Sequence, residues 1–162
     1  MANSLRSSLG WSLSTHSDAT LTIDALRHSV ALDSTKADRY FWLGVLDDQQ
    51  KSIGDAKAAF TRSVALDDTS KLAGKAHRQL GFYLLLEKEW AAAITQLERA
   101  VALDNQDVQA LVWLGQGYQN SGNREKAMDA YRRALALDPN QPEASKGVKT
   151  LSGGGASGAK GG

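Results

Sequence analysis

Four copies of one short pattern, returning at nearly constant intervals, constrain this chain more than any other feature. Val30-Ala31-Leu32-Asp33 returns as Val64-Ala65-Leu66-Asp67, as Val101-Ala102-Leu103-Asp104 and as Leu135-Ala136-Leu137-Asp138. Leu-Gly pairs keep the same register: Leu9-Gly10, Leu43-Gly44, Leu80-Gly81 and Leu114-Gly115, each glycine standing 23 residues ahead of the aspartate of its copy. Successive glycines are 34, 37 and 34 residues apart, which places a three-residue insertion ahead of the third copy, within residues 68–72. A loop absorbs such an insertion at little entropic cost. A period of this length makes each copy one supersecondary element that buries its apolar face only against its neighbours.

Each repeat unit reads as two helices. In the last one Ala127, Met128, Tyr131, Ala134 and Leu135 recur at helical spacing, with Arg124, Lys126, Asp129, Arg132 and Arg133 elsewhere around the helix. The same division separates Ala56, Phe60 and Val64 from Lys57, Thr61 and Arg62, and Ile94, Leu97 and Val101 from Gln96, Glu98 and Arg99. The second helices are thus expected to form a charged outer surface. Asn120-Ser121-Gly122-Asn123 and Asp138-Pro139-Asn140 carry turn chemistry, and connections this short bring neighbouring helices together antiparallel.

The run Leu114-Gly115, Tyr118, Gly122, Ala127, Tyr131, Ala134 and Leu137-Asp138-Pro139 resembles the tetratricopeptide repeat almost position by position. The third copy keeps Leu80-Gly81, Ala93, Leu97, Ala100 and Leu103-Asp104; the second keeps Tyr40, Leu43-Gly44, Ala56, Phe60 and Leu66-Asp67. The first departs furthest, with Arg6, Thr22 and Ser29 in slots where the family has a large aromatic and two alanines. The resemblance implies an all-α fold, a right-handed α-solenoid of four helix-turn-helix repeats. Its repeats are expected over 3–36 (degenerate), 37–70, 74–107 and 108–141, followed by a capping helix over 142–151 and a Gly-rich flexible tail over 152–162. Pro142 suits a first helical turn, and Glu143 suits its positive end.

The resemblance further implies that the first helices line a concave face, and spacing around each glycine sorts the residues pointing into it. Trp11 comes from the first repeat, Phe41, Trp42 and Val45 from the second, Lys75, Arg78, Phe82, Leu85 and Leu86 from the third, and Val112, Trp113 and Gln116 from the fourth. This is the expected peptide-binding set. Tyr40-Phe41-Trp42-Leu43-Gly44-Val45-Leu46 is apolar around its whole circumference, so its second face needs a cover: either an apolar peptide or helix, with Lys75 and Arg78 steering an acidic end, or simply the rest of the superhelix. Some family members grip chaperone C-terminal carboxylates through Lys, Asn and Arg on these helices. Here Ser7, Trp11, Trp42, Lys75 and Gln79 stand at those places and only Lys75 fits, which argues against that clamp.

The function expected is therefore a non-enzymatic protein-interaction scaffold or adaptor. The alternative is a structural protein that stacks head to tail into oligomers or filaments, since solenoid ends are self-complementary unless capped. Catalysis finds no support: His16, His28 and His77 are scattered, Gly115-Gln116-Gly117 lies within a helical pattern, and Asp47-Asp48 and Asp67-Asp68 read as helix-end solvation. No metal or cofactor is implied. There is no cysteine, and a net charge of +1 gives no field to gather nucleic acid or a membrane surface. No secretory or membrane-spanning run appears, so a cytoplasmic location is expected; the serines before Asp18 faintly resemble a transit peptide, but Arg6 is their only basic companion.

Overall fold

A computed structural model describes residues 16–153, with side chains from residue 22 onward. Among the described residues there are eight helices and no strand: α1 His16–Leu32, α2 Ala37–Gln49, α3 Ile53–Leu66, α4 Lys71–Leu86, α5 Trp90–Leu103, α6 Val108–Asn120, α7 Arg124–Leu137 and α8 Pro142–Gly153. The expected helix of the first repeat ahead of α1, with Trp11, lies outside the described residues, as does the tail beyond Gly153. The chain divides into two compact units after Asp68.

In the first unit α2 and α3 form a hairpin and α1 packs on α2. In the second, α4 pairs with α5, α6 with α7, and α8 lies against α7 and α6. Each hairpin closes because the first helix has no side chain where the second brings a large one. A Cβ on Gly44 would stand 2.9 Å from the Phe60 ring, on Gly81 2.5 Å from Leu97, and on Gly115 2.5 Å from Tyr131. Phe60, Leu97 and Tyr131 each follow their glycine by 16 residues, and all three are buried. Gly147 of α8 meets the other side of the Tyr131 ring, so the capping helix docks by the same device. Ala93, Ala100, Ala127 and Ala134, expected from the sequence to let axes approach, are fully buried around these contacts. Ser63 takes the alanine position in the first unit, and its hydroxyl donates to the Ala37 carbonyl oxygen at 2.8 Å.

The turns inside the hairpins share one geometry. Each ends its first helix with a hydrogen bond spanning five residues: Ser52 N–H to the Asp47 carbonyl (2.9 Å), Glu89 to Leu84 (2.9 Å) and Asn123 to Tyr118 (2.8 Å). This closure requires one residue in the left-handed region. Gly122 fills it at φ +84°, whereas Lys51 and Lys88 occupy it at φ +61° and +63°.

The aspartate of the repeated tetrapeptide has a different task. Asp33, Asp104 and Asp138 each accept, through Oδ1, the backbone N–H two residues on, from Thr35 (3.1 Å), Gln106 (3.2 Å) and Asn140 (3.0 Å). They fold the chain into the turn between repeats. Ser70, Asp107 and Asn123 then cap α4, α6 and α7 by accepting from Ala73, Ala110 and Lys126 N–H groups.

Two opposite shifts follow. Gly115→Ala forces a Cβ into the Tyr131 ring and is expected to cost about 1–3 kcal/mol. Lys88→Gly relieves a left-handed lysine and is expected to gain about 1 kcal/mol. Thermal unfolding should show the melting point falling in the first variant and rising by roughly 2–4 °C in the second.

Candidate functional site

The first helices of the second unit, α4 and α6, carry no Asp or Glu at all, and along one stripe of each the side chains are large or amide-bearing. Phe82 of α4 and Trp113 of α6 stack with ring centroids 4.5 Å apart and planes inclined by 23°. Both rings remain partly exposed, Trp113 resting on the apolar core beneath it. A stacked pair held on two different helices is a rigid apolar platform with little side-chain entropy left to lose. Lys75 is exposed two turns before Phe82 on α4, and Gln116 is half-buried on α6 close after Trp113. Leu86, at the end of α4, is 64% exposed.

The other expected residues separate into different environments. Val112 is 0% exposed, and Leu85 is buried too; both are core residues of the second unit. On a helix whose neighbours lie on both sides, a shift of one residue turns a side chain from groove to core, which spacing around the glycine does not resolve. Arg78 is engaged: its Nη1 donates to Asp107 Oδ2 at 2.8 Å, and its Nε is buried without a hydrogen-bond partner. Asp107 also caps α6 through Ala110, so this pair fixes the start of α6 against α4. The sequence gave both residues a polar reading but no means of pairing them across 29 positions.

In the first unit Phe41 is 5% exposed, packed edge-on against Phe60 at 5.6 Å and against Trp42 at 5.3 Å. It belongs to the hairpin core. Trp42, by contrast, is 46% exposed, and Val45 is half-buried. The structure thus brings Phe82 together with Trp113, and Phe41 with Trp42, with only the latter's indole left largely open in the first unit.

Asp47 corrects the reading of Asp47-Asp48 as a solvated helix end. It is 2% exposed, and Arg27 Nη2 of α1 donates to its Oδ1 at 3.1 Å, holding α1 on the helix that carries Trp42. Burial pushes its carboxyl above the usual carboxylate range, although Arg27 pulls the other way. His77, in the repeat's aromatic slot, is buried with Nδ1 2.7 Å from Gln96 Oε1. Tyr118 donates its hydroxyl to Glu98, and burial together with that carboxylate raises its titration well above the ordinary phenol. Tyr131 is pushed up to about 12 by burial. These groups are structural polar contacts within the hairpins. Among the described residues no three His, Cys, Asp or Glu side chains are grouped to hold a metal, and no helix is long and apolar enough to cross a membrane.

The tetratricopeptide repeat family model matches residues 108–141, the hairpin of α6 and α7. The fold is that of the crystal structure of MamA, with 27% identity, a TM-score of 0.76, and 86% of this chain and 80% of that one covered. The chain is a tetratricopeptide-repeat protein. Its all-helical architecture is the α-solenoid of helix-turn-helix repeats. The tetratricopeptide repeat-containing protein trd-1 of Caenorhabditis elegans is 32% identical over 87 residues, which are 52% of this chain and 11% of that protein, so the chain spans about a tenth of its length. The first tetratricopeptide domain of Spaghetti (RPAP3), solved bound to the HSP90 peptide SRMEEVD, is 25% identical with a TM-score of 0.68, covering 77% of this chain and 97% of that one. A fold of this family is consistent with a protein-interaction scaffold.

The buried carboxyl gives a pH dependence of defined sign. Because Asp47 titrates above 3.8 when folded, the folded chain takes up its proton first, and the native state gains relative stability as pH falls through the interval just above 3.8. Asp47→Asn lacks that gain. Urea unfolding of both proteins at pH 7, 5 and 4 should show the variant losing ground against the parent as pH is lowered.

Proposed function

We propose that this chain is a non-enzymatic scaffold that receives an apolar peptide or helix on the first helices of its repeats, the repeats being 3–36, 37–70, 74–107 and 108–141. One observation carries the reading: the Phe82–Trp113 stack at 4.5 Å is left partly exposed on α4 and α6. A monomeric helical repeat has no folding reason to leave such a ring pair in water, and aromatic anchors of this kind are where interface energy concentrates. The 46% exposed indole of Trp42 supports a separate contact in the first unit. Lys75 and Gln116 border the stack, whereas Phe41 and Val112 support their helices from within the core.

Head-to-tail stacking finds less support. It needs an apolar end, and α8 turns Glu143, Lys146, Lys149 and Thr150 to solvent while burying Ala144 and Leu151. That is the amphipathic pattern of a capping helix.

Panning a random twelve-residue displayed peptide library on the immobilised chain is expected to enrich sequences with Trp, Phe or Leu anchors. Fluorescence anisotropy with a labelled winner should then give affinities weaker by roughly 30-fold for Trp113→Ala, in line with about 2 kcal/mol for an aromatic hot spot. Affinity left unchanged by Trp113→Ala combined with Trp42→Ala, with native circular dichroism, removes the proposal. Light scattering at high concentration should report a monomer, and filaments would favour the stacking protein instead.

A further inference from the structure

We infer that the occupant of the Phe82–Trp113 surface is an extended segment bearing an acidic side chain three residues from its apolar anchor, and that Lys75 reads the acid. The inference rests on the peptide-binding reading above and adds to it the chemistry, spacing and conformation of the partner.

Charge supplies the first step. Neither α4 (Lys71–Leu86) nor α6 (Val108–Asn120) contains an Asp or Glu, while the second helices of the same repeats carry Glu98, Glu125 and Asp129. In a chain with 18 acids the first-helix face of this unit is therefore the place where an incoming carboxylate meets no like charge from either helix. Asp107 at the head of α6 is already bound to Arg78, which removes both from the count. Lys75 is exposed on the stripe that leads to Phe82, and Lys71, also exposed, adds the same sign one turn further out.

Geometry supplies the second step. Lys75 precedes Phe82 by seven residues, a rise of about 10 Å along a helix. A polyproline-like segment turns once every three residues and advances about 9 Å, so side chains three apart share one face and span the same interval. A β-strand would present residues three apart on opposite faces. A docked helix satisfies its own backbone, but Gln79, Gln109 and Gln116, half-buried on α4 and α6, offer amide donors and acceptors that an extended backbone needs. The surface is thus built for an exposed backbone, an apolar anchor and one carboxylate at fixed separation.

The test pans the same displayed library on the full chain and on the Lys75→Glu and Arg78→Gln variants. The full chain should enrich Asp or Glu three positions from the apolar anchor. Lys75→Glu should keep the anchor and replace that acid by Lys or Arg, and a labelled winner from the full chain should bind it about tenfold more weakly, an electrostatic loss that shrinks at high salt. Arg78→Gln should lower the melting point and leave the acid preference in place. Enrichment of an acid at no fixed spacing, or an unchanged acid preference in Lys75→Glu, overturns the inference while leaving apolar docking standing. An enrichment without any apolar anchor, or one that Trp113→Ala leaves intact, overturns both.

Discussion

Everything in this fold depends on a hole in the first helix of each hairpin. Gly44, Gly81 and Gly115 have no Cβ, and into that space come the Phe60 ring, the Leu97 side chain and the Tyr131 ring of the helix that follows. The pairing is a matter of volume, not of bonding. A flat ring and a branched aliphatic chain fill it equally, which is why the residue 16 places after the glycine varies in chemistry while remaining large and buried. Once the two helices of a hairpin are pressed together in this way, the small alanines bordering the contact are fully enclosed, and the next hairpin finds a shaped surface to sit on.

The aromatic surface is a consequence of that arrangement. With one stripe of the first helix committed to glycine and alanine, the large residues of α4 and α6 are displaced to the opposite stripe, where Phe82 and Trp113 meet each other instead of a neighbouring helix. The terminal helix α8 repeats the glycine device at Gly147 and closes the last hairpin with a polar outer side. Apolar area therefore remains on the first helices and not at that end of the chain.

Charged residues serve the framework before they serve recognition. Asp107 caps α6 and holds Arg78, and Asp47 is drawn into the first unit to hold Arg27, each pair joining one helix to another. A buried carboxylate is a costly joint, and Asp47 shows the cost in a titration raised by burial despite its partner. Arg78, with its Nε enclosed, is positional for the same reason. What stays in water near the stack is Lys75, a flexible cation on a long stem.

Period and register were written in the chain itself. The spacing of Leu-Gly and Val-Ala-Leu-Asp determined the hairpins, their order and the turns at Gly122 and Pro139, because a helix pattern and its breaks are local properties that need no partner to be seen. The same strings did not explain themselves: that the aspartate of each copy folds the following turn, and that Lys51 and Lys88 adopt the conformation of Gly122, appear only when backbone hydrogen bonds are traced. Tertiary structure also decided which large residues are usable. Phe41 and Trp42 are adjacent in sequence and Val112 and Trp113 likewise, yet one of each pair is sealed in the core and the other reaches the surface. Neighbouring positions on a helix point about 100° apart, and only the placement of the surrounding helices determines which of those directions is filled by protein and which is left to water.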